Sequence, residues 1–205
     1  MSDITPDKQN SSDIYFGDAA YWRIKLCQIL PPELKYCIYT DYDVLFLKPL
    51  DELANIDFGN KWVAVVGNKC FKHNEKNWEK YFKEISEAGQ EFNSGVMVFN
   101  LEQWRAQEVW KKFIPLKEMD FACAEQPRLN IVCFGHNVML DPIKYNAWGG
   151  EDIEQTCVIL HFAGHDTKPW KGCPSECKKL WWEYAKITPF YGILKDEYLR
   201  EISKK

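Results

Sequence analysis

Two periods alternate along the chain, and each switch between them marks an element. From Gly17 to Leu30, Ala20, Ile24, Cys27 and Leu30 recur at helical spacing, with Asp18 placed to cap and Pro31–Pro32 to stop the helix. Tyr36 to Leu47 reads as one strand of β-branched and aromatic residues, closed by Lys48–Pro49. Trp62 to Gly67 is a short continuous apolar run, the mark of a strand covered on both faces. A helix is predicted over 75–88, and a strand over Gly95 to Phe99 leads into another helix, with Asn93 and Ser94 just ahead of it. Residues 124–135 read as a helix, 138–146 as a strand, and 157–164 as a last strand that delivers His161 to its end. Helical spacing returns from Ser175 on, with Trp181, Trp182, Tyr184 and Phe190 as aromatic anchors. Strands alternating with helices define an α/β class. No repeat or second boundary interrupts the run, so residues 14–205 are expected to form a single domain behind a disordered leader, 1–13.

Composition narrows the picture. At 205 residues the chain can bury a substantial core, and 46% hydrophobic against 27% charged residues makes it globular. Nine Trp point to a dense aromatic core or to ligand platforms. A net charge of -4 without a basic run excludes a nucleic-acid partner. The polar start carries no apolar signal region, and no run of about 18 apolar residues exists to span a bilayer. Eight Cys are scattered, several inside apolar runs, which suits buried thiols in a reducing compartment and a cytoplasmic location. Cys173 and Cys177 are close enough to pair or share a metal, but no second Cys or His pair follows to complete a zinc site.

The run CIYTDYDVLFLKPL, Cys37 to Leu50, holds the first chemical question. Asp41 and Asp43 interrupt an otherwise apolar strand, and an uncompensated buried carboxylate is strongly unfavourable. Residues i and i+2 of a strand face the same way, about 6–7 Å apart at Cα, so the pair repels unless something positive neutralises it. A divalent cation suits that spacing at a strand's end, where α/β sheets gather ligands. An exposed turn salt-bridged to surface lysines accounts for the same residues equally well. The run VILHFAGHDTKPW places His161, a common metal ligand, at a strand end, followed by Gly164, which lets backbone amides approach an anion, and by Lys168, which can balance phosphate charge. A core histidine and a solvated lysine are the plainer alternative. Asn93 and Ser94 offer neutral hydrogen bonds of the kind that read sugar hydroxyls, or an ordinary turn. Arg23 suits a phosphate clamp or a surface ion pair.

The order and wording of these segments resemble glycosyltransferase family 8, the group of glycogenin and the bacterial lipooligosaccharide galactosyltransferases. The likeness runs from Gly17 to Trp170 through AAYWRI, YTDYDVLFLKPLDEL, FNSGVMVFNLEQWR, EQPRLN and HFAGHDTKPW. It implies a GT-A-like, Rossmann-like mixed and mostly parallel sheet flanked by helices. It also implies a retaining transfer of a hexose from a nucleotide-sugar, a UDP-sugar, to a carbohydrate or glycolipid acceptor, with Mn²⁺ or Mg²⁺ as cofactor. On that likeness Asp41, Asp43 and His161 bind the metal. Lys168 and the ion stabilise the leaving diphosphate beside Gly164. Asp41, Arg23, Asn93 and Ser94 contact the donor, and Gln126 stands beside the reacting anomeric carbon with Glu125 as its catalytic neighbour.

Two departures from the family pattern stand out. Glu125 replaces the usual Asp before Gln126, so a hydrogen bond to the donor sugar must be re-aimed. Only residues 1–16, mostly polar, precede the helix bearing Arg23, where the family carries a nucleotide-binding segment, so the fold is expected to be N-terminally shortened. Two rival functions follow: a glycosyltransferase-like binding or scaffold domain without turnover, and a D-x-D phosphatase. The phosphatase needs a later acidic pair that the isolated Asp152 does not supply. The Lys- and aromatic-rich C-terminal tail is a candidate for peripheral contact with a membrane bearing the acceptor, although its acidic residues oppose strong lipid attraction.

Overall fold

The computed structural model describes residues 19–67, 78–119, 121, 125–148, 153, 155–164, 167–170 and 175–203. The expected leader, the cap at Asp18, and Asp152, His165, Asp166 and Cys173 lie outside the described residues. The strands in chain order are β1 (Tyr36–Thr40), β2 (Val44–Phe46), β3 (Val63–Gly67), β4 (Phe92–Asn100), β5 (Asn137–Leu140), β6 (Ala147–Trp148) and β7 (Ile159–His161). The helices used below are α1 (Ala19–Trp22), α2 (Leu26–Ile29), α3 (Asp51–Ala54), α4 (Lys83–Glu87), α5 (Leu101–Ala106), α6 (Gln126–Cys133), α7 (Pro142–Tyr145), α8 (Ser175–Lys186) and α9 (Tyr191–Ile202). They fall into two compact units, one drawn from Met1–Thr40 and Leu50–Pro142, the other from Asp41–Pro49 and Ile143–Lys205.

The first unit carries a four-stranded sheet in the order β1-β4-β3-β5. β4 is its longest strand and pairs antiparallel with both β1 and β3, while β3 and β5 are parallel. In the second unit β7 lies between β2, antiparallel, and β6, parallel. The sheets are therefore mixed, and the expectation of mostly parallel pairing is corrected. Phe92 starts β4 opposite Gly67 at the end of β3, so the chain returns at the same end of the sheet. Parallel pairing needs a crossover to the other end.

Three element boundaries also differ from the reading of the sequence. The strand expected over Tyr36–Leu47 is two strands in two sheets, with Asp41–Asp43 in the break and Tyr42 93% exposed between them. Continuing the strand would bury two like charges side by side. β4 begins at Phe92, so Asn93 and Ser94 lie inside it; a bulge between Val65 and Val66 extends the pairing to Asn93 and Phe92. The strand expected over 138–146 ends at Leu140, because Pro142 opens α7, where a missing N–H is no loss. Over 78–88 the expected helix is a π turn, Trp78–Phe82, followed by α4. Phe190 is 63% exposed between α8 and α9 and anchors nothing.

The first core gathers Ile24, Val63, Val65, Met97, Phe99, Trp104 and Phe113 around one face of the sheet. Trp104 is fully buried, and its Nε1–H donates to the Ile24 carbonyl at 3.0 Å, which removes the cost of an unpaired indole. The second unit packs Cys157, Leu160, Phe162 and Cys177 against Leu45, Leu180 and Trp181. Burial pushes the thiols of Cys27, Cys133 and Cys157 up, so they are poor nucleophiles at neutral pH.

Arg105, on α5, ties the first helices to the sheet. Its Nε–H donates to Cys27 O at 3.0 Å, and its two terminal nitrogens reach Leu34, Pro31, Pro32 and Leu30 carbonyls at 2.7, 3.0, 3.1 and 3.4 Å. One guanidinium fork thus satisfies the end of α2 and the segment feeding β1. Arg105→Ala is expected to lower stability by about 2 kcal/mol in urea unfolding. Arg105→Lys should recover less than half of that, since an ammonium has no planar fork; full recovery would show that charge alone is needed.

Candidate active site

Register builds the cluster of the second unit. Val44 pairs with His161 across β2 and β7, and the Phe162 N–H donates to the Asp43 carbonyl at 2.9 Å, so the Asp41–Asp43 turn is pinned beside the end of β7. His161 Nε2 lies 3.3 Å from Asp43 Oδ1 and 3.9 Å from Asp41 Oδ2. One ligand atom from each of these three residues lies within 4.8 Å of the other two. His161 is buried, 2% exposed, and its Nδ1 stands 2.7 Å from Asn146 Oδ1. With Nδ1 held by the Asn146 amide, Nε2 faces the carboxylates, where it could hold a metal.

Lys168 completes this cluster. Its ammonium bonds Asp43 Oδ2 and donates to the Phe162 carbonyl at 2.7 Å. Burial works to raise the pKa of Asp43; hydrogen bonding and electrostatic attraction from His161 and Lys168 outweigh it and hold the carboxyl down at about 2. Gly164, at φ +80°, makes the left-handed bend between β7 and Lys168 that a side chain would strain.

The first unit carries a second polar cluster. Gln126, the first residue of α6, accepts at Oε1 from the Ser94 backbone N–H at 2.8 Å and from Asn93 Nδ2 at 2.9 Å. The Ser94 hydroxyl stands 3.2 Å from that oxygen and 3.1 Å from Glu125 Oε1, one proton for two acceptors. Since a backbone N–H can only donate, the orientation of the Gln126 amide is fixed, with its NH₂ turned from the strand. The Asn93 side-chain oxygen accepts from Gly95 N–H at 2.9 Å. Arg23 is 6% exposed. Its Nη1 donates to the Ser94 carbonyl at 2.5 Å and stands 3.3 Å from Glu125, its Nε–H donates to Ala20 O at 3.1 Å, and its guanidinium lies 4.3 Å over the Tyr39 ring. The site residues read from the sequence thus form two groups, Asp41, Asp43, His161 and Lys168 in one unit and Arg23, Asn93, Ser94, Glu125 and Gln126 in the other.

Two residues escape the sequence reading. Asn130, 1% exposed, takes the Phe92 N–H on its oxygen at 2.9 Å and returns its NH₂ to Phe92 O and to Gln126 O, both at 3.0 Å. It locks the first turn of α6 to the start of β4, and its place four residues after Gln126 on one helix was a signal. Asn146 behind His161 had none, since nothing in its neighbourhood distinguishes it from a loop asparagine.

Two carboxylates and a histidine thus converge at strand ends of an α/β fold, an arrangement that could hold a metal ion. The model of the Glycosyl transferase family 8 matches residues 3–173, and the chain belongs to that family. It is 28% identical over 175 residues, 74% of the chain, to General stress protein A of Bacillus subtilis (strain 168). It is 27% identical over 206 residues, 90% of the chain, to a lipopolysaccharide 1,2-glucosyltransferase of Escherichia coli. The chain spans 59% and 57% of the lengths of these two relatives. Among solved structures, the bifunctional glycosyltransferase WbbM in its apo form superposes with a TM-score of 0.72 at 18% identity, over 88% of this chain and 37% of that one, which establishes the shared fold.

The depressed Asp43 gives the metal-free chain an acid limb. Stability from this carboxylate is present above its ordinary pKa of 3.8 and is lost as pH falls toward about 2. In the presence of a chelator, the unfolding free energy should drop by about 2 kcal/mol more for the native chain than for Asp43→Asn over that window. Parallel pH profiles would show that the ion pair with Lys168 contributes nothing.

Proposed function

We propose that the chain transfers a hexose from a UDP-hexose to a hydroxyl of a glycan or glycolipid, with retained anomeric configuration and Mn²⁺ at Asp41, Asp43 and His161. The convergence of those three side chains on one point carries the reading. Two hard carboxylate oxygens with one imidazole nitrogen suit Mn²⁺ better than the all-oxygen surroundings that Mg²⁺ favours. Bound there, the ion supplies Lewis-acid neutralisation of the charge that develops on the leaving diphosphate.

The remaining work belongs to the chain's own side chains. Asp41 and Asp43 supply the negative charge that would hold the cation, Asn146 aims His161, and the bend at Gly164 opens the backbone beside Lys168 for an anion. Gln126, its oxygen held by Ser94 and Asn93, offers its NH₂ to the donor sugar. Glu125 is engaged by Arg23 and Ser94, which suits it to positioning Gln126. A D-x-D phosphatase would leave the HFAGHDTKPW run unexplained, whereas the transferase reading uses both His161 and Lys168.

Calorimetric titration with UDP and UDP-glucose, with and without Mn²⁺, tests the reading. Binding is expected only with Mn²⁺ and should vanish in Asp43→Ala. Asn146→Ala leaves all three ligand atoms in place and should weaken Mn²⁺ binding by about 10- to 100-fold. Mn²⁺-dependent binding without release of sugar to any acceptor would favour the scaffold alternative, and no binding at all would remove the transferase reading.

The turn between α8 and α9 supports peripheral contact with a membrane that carries the acceptor. Ile187, Phe190 and Ile193 are 84%, 63% and 63% exposed there, and among the described residues no helix is long and apolar enough to cross a bilayer. Co-sedimentation with lipid vesicles is expected to fall roughly tenfold in Phe190→Ser; unchanged sedimentation would remove this contact.

A further inference from the structure

Lys168 sits where a cation is already needed. Its side chain is 11% exposed, its ammonium bonds Asp43 Oδ2, and the Phe162 carbonyl accepts from it at 2.7 Å. The Phe162 N–H returns to the Asp43 carbonyl at 2.9 Å, so lysine, carboxylate and backbone close a ring at the mouth of β2 and β7. The other Asp43 oxygen faces His161 Nε2 at 3.3 Å, which places the lysine and the three-ligand cluster on the two oxygens of one carboxylate. Two positive charges on one largely buried carboxylate repel strongly, because little water screens them. The flexible four-carbon stem of a lysine lets its ammonium leave without moving the backbone.

We infer that Lys168 is the resident counter-ion of the Asp41–Asp43 pair, and that an incoming divalent cation takes over Asp43 and releases the ammonium to the anion that the cation carries. The inference rests on the metal-dependent reading above and adds to it a direction of coupling. Without nucleotide, Lys168 opposes cation binding; with a nucleoside diphosphate present it has a new partner and the opposition ends. Coupling between two ligands is reciprocal, so the cation must raise diphosphate affinity by the factor that the diphosphate raises cation affinity. No bond is made or broken; one ion pair is replaced by another.

Mn²⁺ titrations followed by electron paramagnetic resonance, with and without UDP, test the exchange on the full chain, on Lys168→Met and on Lys168→Arg. Lys168→Met is expected to bind Mn²⁺ alone roughly tenfold more tightly than the native chain, a gain where a supporting residue would give a loss. UDP should tighten Mn²⁺ binding in the native chain and do so roughly tenfold less in Lys168→Met. Lys168→Arg, which keeps the charge, should behave as the native chain toward Mn²⁺ alone. Native binding of Mn²⁺ with equal or weaker binding by Lys168→Met overturns the exchange and leaves the metal site standing. Failure of the native chain to bind Mn²⁺ removes the metal site and the exchange together. A measurement that needs no variant uses ¹⁵N-labelled lysine and Mg²⁺: the ammonium signal bonded to Asp43 should disappear on saturation, and its persistence overturns the exchange.

Discussion

Everything distinctive in the second unit follows from two carboxylates placed two residues apart where an apolar segment would otherwise run on. Like charges at that spacing in a low-dielectric setting must be separated, protonated or neutralised. The chain does the last. It breaks the segment at Asp41, starts β2 at Val44, and uses the β2–β7 register to bring His161 and Lys168 against the pair. The carboxyl of Asp43 then stays ionised against the pull of its own burial.

The first unit solves a different problem with similar parts. Arg23 and Glu125 are both nearly buried, and burying charge is tolerable only when each polar atom finds a partner. Here Ser94 serves both: its carbonyl takes the arginine, its hydroxyl faces the glutamate, and its N–H orients Gln126. Asn130 closes the arrangement from the helix side by acting as a strand edge for Phe92. With its oxygen committed, Gln126 has a single orientation. That is the condition for a group that must meet a ligand without reorganising.

Much of this could be read from the chain alone, and the reasons for the rest are physical. Asp41, Asp43, His161 and Lys168 could be singled out as candidates by type and spacing, with plainer alternatives beside them, while Gln126 and Glu125 were marked only by the family resemblance. Strand pairing was less legible. Local periodicity says that Tyr36–Thr40 and Val44–Phe46 are extended but not that they join different sheets, since partner choice depends on residues more than fifty positions away. Asn93 and Ser94 were placed just ahead of the strand, where Asn-Ser-Gly also suits a turn, and pairing with β3 through the bulge draws them into β4. Arg23 was read as a phosphate clamp or a surface ion pair; it pairs with Glu125 and lies over Tyr39, but buried rather than at the surface. Asn146 could not be found at all without the fold, because its only distinction is what it touches.

The contrast between the two clusters is itself informative. In the first, each described contact is held by a backbone group or by a residue that such a group orients, so displacing any one member strands a buried partner at a cost comparable to the whole interaction. In the second, the bond between Lys168 and Asp43 joins two side chains, one of them long and flexible, and either can find an equivalent partner in a ligand. A network of the first kind resists change and suits a group that must be found in place. A pair of the second kind is exchangeable, and suits a site whose charge must alter as ligands come and go. Gln126 is anchored through a backbone N–H, whereas Asp43 is paired through a flexible lysine side chain, so the two clusters differ in how readily a partner can be exchanged.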